Sequence, residues 1–217
     1  MSTLRRDAAR NRAKLTAAGR EVFAEQGPDV SFEEVARRAG VGIGTLYRHF
    51  PSREALAEEI YAEHIEEVVS AAEAAAAEED AWSGLVHFLE HMLDLQARNL
   101  PLRGLFFRLS GGLRAAERRR LILPLLEQVV ERGKAQGALR DDLAVGDLSI
   151  ALWSFAPVLE ATAGVAPNVW RRHLRILLDG MRPDAATPQE VPPLAGRRLE
   201  RAIEALRDRY HRRRAAA

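Results

Sequence analysis

The chain has 217 residues, 47% hydrophobic and 29% charged, enough to bury a sizeable core as one compact unit or as a small head on a larger body. It has no cysteine, which excludes disulfides and thiolate zinc sites; no apolar run approaches the roughly 18 residues of a membrane span, and MSTLRRDAARNR lacks the apolar stretch of a secretory signal, so a cytoplasmic protein is expected. The net charge of +1 hides an asymmetry, with nine Lys/Arg against six Asp/Glu in residues 1–50 and two against twelve in residues 51–100, so that phosphate contact suits the front of the chain and not the segment after it.

Nearly every segment reads as helix and no alternating strand pattern or internal repeat is present, so an all-α fold is expected. Asp7 to Gln26 carries Leu15, Ala18, Val22 and Phe23 on one stripe and stops at Gly27-Pro28. Ser31 followed by Glu34 has the pattern of a capping box, in which the serine oxygen accepts from the third backbone N–H and the glutamate reaches back to the cap. Val35, Ala36 and Ala39 give this short helix an apolar face, with Glu33, Arg37 and Arg38 toward water. Gly40 is placed to end it in the left-handed conformation. After Gly40-Val41-Gly42, the residues Ile43, Leu46 and Phe50 resume the spacing of one buried side and are expected in the core. Between them Thr45, Tyr47, Arg48 and His49 offer hydroxyls, a cation and an imidazole, side chains suited to phosphates and base edges. Two short helices joined by a glycine turn are the minimal helix-turn-helix, whose second helix enters the major groove of DNA.

Ser52, after Pro51, caps a long helix that runs to about Glu79, with a second half rich in alanine and glutamate; it would link head to body. Trp82 to Ala97 sets Leu85, Phe88, Leu89, Met92 and Leu95 along a core-facing stripe. Pro101 opens a shorter element, Leu102 to Leu109, broken by Ser110-Gly111-Gly112. Leu113 to Gln136 holds Pro124 at an interior position, where a kink or split is expected, and Gly137 ends it. Leu143 to Ala163 and Pro167 to Met181 complete the body. Pro183, Pro188, Pro192 and Pro193 mark an extended linker. Arg197 to Arg214 then forms a basic amphipathic helix with Leu199, Ile203, Leu206 and Tyr210 on one side. It reads as an arm packed on its own subunit or across a dimer; the other reading is a second contact to nucleic acid or a membrane surface through Arg207, Arg209, Arg212, Arg213 and Arg214.

The run Gly44-Thr45-Leu46-Tyr47-Arg48-His49-Phe50, followed by Pro51-Ser52-Arg53-Glu54-Ala55-Leu56, resembles the recognition helix and helix-four entry of the tetracycline-repressor (TetR) family. The resemblance is specific over about Arg10 to Leu56 and architectural beyond that. It implies an all-α homodimer with an N-terminal DNA-binding head and a larger body for ligand sensing and dimerisation. The corresponding division is residues 1–51 for the head, 52–182 for the body, 183–196 for the linker and 197–217 for the basic helix. The family places contacts to groove and phosphate at Thr45 and Tyr47, and a phosphate contact at His49, for which core packing is the alternative. Arg48 either reads a guanine edge or is solvated, and Gly44 either lets the backbone approach the duplex or serves the turn. Ser31 and Arg53, at helix N-termini, are further phosphate candidates. Arg5, Arg6, Arg10 and Arg12 suggest an arm along the minor groove, with a simple basic tail as the other account of Arg5 and Arg6. Gly42 departs from the serine or alanine common in the family, which implies a looser helix start and one hydroxyl contact fewer.

Phe88, Met92, Leu95, Phe106, Phe107, Leu125, Trp153 and Phe155 are candidates to line an apolar cavity for a small-molecule effector, although residues of each kind are more often plain core. Leu148, Leu152, Phe155, Val158 and Leu159 on one helix, with Trp170, Leu174, Leu177 and Leu178 on the next, can form a four-helix packing between subunits or an ordinary core. His87, Glu90, His91 and Asp94 share one helical face and the spacing of metal ligands; lying opposite the apolar stripe, they read as solvated surface, and neither a metal nor a cofactor is expected. No nucleophile, base and orienter occur together, and no phosphate-binding glycine loop follows a strand, so no enzyme is expected. The expected function is a sequence-specific regulator of transcription: a homodimeric repressor on a palindromic operator in double-stranded DNA, released by an unknown small apolar ligand. The alternative is a helix-turn-helix protein whose body is a protein-interaction module without an effector.

Overall fold

Leu15, Val22 and Phe23 from α1 (Thr3–Gln26) sink into a core shared with α2 (Phe32–Ala39), α3 (Ile43–His49) and the first turns of α4 (Arg53–Ala77). The computed structural model describes residues 3–26, 31–98 and 113–215, and among these the chain is helical with no strand. Phe32, Val35, Leu46, Phe50, Leu56 and Ile60 complete the head core, each at most 3% exposed. Burying side chains of this size contributes about 1.5–3 kcal/mol apiece before the entropy of ordering is counted. The first helix begins at Thr3 rather than at Asp7, so the arginines at 5, 6, 10 and 12 stand on a helix and not on an extended arm.

The body adds α5 (Ala81–Arg98), α6 (Leu113–Ala135), α7 (Val145–Thr162) and α8 (Val169–Asp179), a single 3-10 turn at Pro183–Ala185, and α9 (Gly196–Ala215). Its core is a second cluster, to which α4 gives Val68, Ala72 and Ala75. No described helix is long and apolar enough to cross a membrane. The expected split at Pro124 does not occur: α6 runs through it, and the ring faces solvent, where the carbonyl it leaves without an N–H partner can bind water. The expected element at Leu102 to Leu109, with its flanking Ser110-Gly111-Gly112, lies outside the described residues.

The joint between α4 and α5 is held from α6. The Arg132 guanidinium donates to the carbonyls of Ala76 (2.7 Å) and Ala75 (3.1 Å), which are among the orphan acceptors of the last turn of α4. One turn on, Gln136 donates to the Glu79 carbonyl (2.8 Å) and accepts from the Ala81 N–H (3.0 Å). The two helices meet at Gly84, where a Cβ would stand 2.6 Å from the Ala75 carbonyl oxygen; only hydrogen permits that approach.

Asp80 starts α5. Its carboxylate accepts from the Ser83 hydroxyl (2.5 Å) and from the backbone N–H groups of Ser83 (3.2 Å) and Trp82 (3.3 Å). Its carboxyl is held below the usual aspartate range, first by the Ser83 side-chain bond and then, against a smaller cost of burial, by those backbone donors and the charge of Arg182. A depressed folded pKa contributes stability above the unfolded value, and that contribution is lost as pH falls through the folded one. Thermal unfolding followed from neutral to acid pH should therefore show a smaller loss in Asp80→Asn, which keeps an acceptor for the cap, than in the wild type.

The stretch expected as an extended linker is tied to the body. The Arg140 guanidinium pairs with Asp142 and donates to the carbonyls of Gly180 (3.2 Å) and Thr187 (2.5 Å), while Leu199, in the first turn of α9, is 6% exposed. Between them the backbone of Leu194 presses on Gly146 in the first turn of α7, so closely that any Cβ there would be driven into the Leu194 carbonyl oxygen. Gly146→Val should therefore lift this strap from the body, read as faster protease cleavage within residues 186–195, with the body's helical signal retained.

Candidate nucleic-acid interface

The turn between α2 and α3 is built from local signals. The Ser31 hydroxyl oxygen accepts from the Glu34 N–H (3.1 Å), and Gly40 takes φ 67° and ψ 35°, its N–H bonding back to Arg37 (3.2 Å). The second half of the capping box is not made. The Glu34 carboxylate turns instead to Arg37 (2.6 Å) and Arg38 (3.4 Å), and Arg38 also reaches Glu25 (2.6 Å). Two guanidiniums offer a carboxylate more than one backbone N–H does. Both arginines are thereby committed to ion pairs within the head, and Arg38 is half-buried rather than set fully toward water.

The second helix is seven residues long, and its start has no side-chain cap, because Gly42 offers none. Leu46 and Phe50 are buried at 0% and 1%, which fixes the opposite side toward solvent. That side presents Ile43, Gly44, Tyr47 and Arg48, with Thr45 half-buried beside them. Ile43, expected in the core, is 38% exposed: it is the first residue of a two-turn helix, and the head core begins one turn later. Gly44 has an ordinary helical backbone and open space where a Cβ would stand, so neither the turn nor packing demands glycine there.

Tyr47 is 52% exposed, yet its ring is fixed edge-on against Phe32 with centroids 5.3 Å apart, leaving the hydroxyl outward. Arg48 donates to the Thr45 hydroxyl (3.1 Å), which aligns cation and hydroxyl on one face. Arg48 and Arg53 are exposed and meet no carboxylate among the described residues. Ser52 caps α4 by accepting from the Ala55 N–H (3.2 Å), which places Arg53 in its first turn. The Ser31 hydroxyl, an acceptor in its own cap, keeps its proton to donate. His49 is half-buried with its ring tilted against Phe50, centroids 6.4 Å apart.

Arg12 has a different task from the minor-groove contact expected of it. Its guanidinium grips Glu59 of α4 through two bonds (2.7 and 2.9 Å), donates to the His49 carbonyl (3.4 Å) and lies 4.7 Å from the centroid of the Phe50 ring. It thus ties α1, the end of α3 and α4 together. Sequence reading could not find the pair, because its partner lies 47 residues away. Arg10 bonds Asp7 on the exposed side of α1 (3.2 Å), and Arg6 is exposed beside them.

Six of the eight residues named for an effector cavity lie among the described residues. Phe88, Met92 and Leu95 are buried in the body core with Leu125 packed against it; Trp153 is half-buried; Phe106 and Phe107 lie outside the described residues. Phe155 borders an open groove of about 1000 Å3 between α7, α8 and the strap. On the polar face of α5, His87 pairs with Glu78 (3.0 Å) and Asp94 with Arg98 (2.8 Å) and Arg171 (3.1 Å), while His91 approaches Glu67 at 3.4 Å without a hydrogen bond. No group of three metal-ligating side chains is gathered among the described residues.

A short capped helix, a left-handed glycine turn and a second helix with a polar outer face, seated on a three-helix head above an all-helical body, define a helix-turn-helix DNA-binding protein. The family model for bacterial regulatory proteins of the tetR family matches residues 15–60. A TetR transcription regulatory protein from Mycobacterium vanbaalenii is 32% identical, with a TM-score of 0.51, over 82% of this chain and 99% of that one. A TetR transcriptional regulator from Streptomyces coelicolor is 34% identical, with a TM-score of 0.52, over 79% of this chain and 98% of its own. An HTH-type transcriptional regulator from Staphylococcus aureus shares 37% identity over 51 residues, so the match spans only 28% of that relative's length and 23% of this chain. The chain belongs to the TetR family. It is a DNA-binding regulator of transcription and not an enzyme.

Proposed function

We propose that the protein is a homodimeric repressor that binds a palindromic operator through Ser31, Gly44, Thr45, Tyr47, Arg48, His49 and Arg53 and leaves it when a small apolar ligand binds the body. The observation that carries the DNA-binding part is the outer face of α3. Tyr47 and Arg48 are exposed but held in place from beneath, and Gly44 is a glycine that nothing inside the protein requires. The Thr45 and Tyr47 hydroxyls and the Ser31 cap are suited to phosphate oxygens, the Arg48 guanidinium to a guanine edge, and Gly44 to close approach of the backbone.

Pairing of two heads is supported by the groove on the body. Ile150 (43% exposed), Ile176 (57%) and Val191 (76%) all border it, an apolar patch that a monomer would leave in water. A twofold through that face would set two recognition helices for half-sites about 34–36 Å, or a multiple, apart. Release requires a ligand that prefers the head spacing unable to fit the operator, since equal affinity for both states shifts nothing. Helix α4, with its far end gripped by Arg132, is the element through which the body would move the head.

The test is selection of bound duplexes from a random pool, with light scattering for the assembly. An enriched palindrome bound by a dimer supports the reading. A monomer that enriches nothing would instead favour the other role of the groove, as the seat of a different protein.

A further inference from the structure

Where α9 crosses the body it leaves a second cavity, of about 490 Å3, beside the groove on α7 and α8, with which it shares Leu143. One wall is α6, with Leu123 and Glu127; the floor is the α6–α7 corner, with Leu143; the roof is α9, with Leu199, Glu200 and Ile203. The space exists because the strap is drawn tight at Gly146 and Leu199 is seated at 6% exposure, whereas Ile203, one turn further, is only half-buried. Its volume falls within the roughly 300–1000 Å3 of small-molecule sites.

The charges around it are unequal. Lys134 is held by Glu131 at 2.8 Å and is neutralised there. Glu127 and Glu200, on wall and roof, engage no cation among the described residues, and Arg120 is the remaining base of the lining. Among the described lining residues two open carboxylates face one guanidinium, and the interior is aliphatic. We propose that this cavity is a binding site for an amphiphilic monocation, with its apolar body among Leu123, Leu143, Leu199 and Ile203 and its ammonium group between Glu127 and Glu200. The site is independent of operator release and does not rest on it.

The probes are octylammonium, 1-octanol and octanoate, which share one tail and differ in charge, titrated calorimetrically into the full-length protein at one ionic strength. The expected result is one saturable site per chain that takes octylammonium about threefold or more tighter than octanol, with octanoate weakest, since each exposed charge pair contributes modestly. Glu127→Gln with Glu200→Gln should bring the cation down to the level of the alcohol. Ile203→Trp should abolish binding by filling the space, and Leu123→Phe, which fills it from the other wall, should do the same if the first variant loses helix by circular dichroism. Absence of saturable binding, or undiminished binding in the filled variants, overturns the site. Preference for octanoate, or a cation preference that survives loss of both carboxylates, overturns the assigned chemistry.

Discussion

Leu46→Ala should destabilise the head by about 2–5 kcal/mol and abolish DNA binding with it. Leu46 is fully buried in the middle of a two-turn helix whose N-terminus has no side-chain cap, so little else holds α3 in place. The cavity left by three lost carbons would open in the core shared by Val35 of α2, Phe50 at the end of α3 and Leu56 of α4, which cannot close over it without the helices parting. Denaturant unfolding of the wild type and variant, compared at fixed slope, checks the size of the loss.

One residue further along, Tyr47→Ala should do the reverse, leaving the fold and removing the binding. Its contact with Phe32 is a single edge-on pair, worth about 0.5–1.5 kcal/mol beyond area, and half of the ring is already in water. A hydroxyl bond to a phosphate is charge-assisted and worth about 1.5–3 kcal/mol, so its loss should lower operator affinity about tenfold or more. Tyr47→Phe separates the two roles, keeping the ring on Phe32 while losing the hydroxyl. Operator affinity measured for both variants at one salt concentration is the check; undiminished binding in Tyr47→Ala would sink the docking assigned to α3.

The head was legible in the sequence because its signals are local. The Ser31 cap, the left-handed Gly40 and the spacing of Leu46 and Phe50 each act within four residues, and the chain has little choice but to obey them. What was not legible depends on partners far along the chain or on competition between them. Arg12 looks like one more base of a minor-groove arm until Glu59 arrives from α4, and Glu34 looks like a capping glutamate until two arginines outbid the backbone for it. The strap illustrates the same limit. Four prolines do exclude helix, but only the absent side chain of Gly146 lets the strap lie against the body, and a lone glycine in a helical run carries no such message. Phe88, Met92 and Leu95 show why a cavity is hard to read: an apolar stripe has one appearance whether it faces other side chains or a ligand.

Helix α4 puts Leu56, Ala57 and Ile60 into one apolar cluster and Val68, Ala72 and Ala75 into another, with Ile65 packed on the first. The recognition unit therefore does not end where its last DNA-facing residue does. A head cut away at residue 51 would lose a quarter of the twelve buried core residues described for it, and a graft of this head onto a foreign body has its natural seam between Ile65 and Val68. Recombination that exchanges reading heads among such proteins is thus constrained to carry about four turns of the connecting helix along, so that the specificity for DNA and the upper part of the lever that moves it are inherited together.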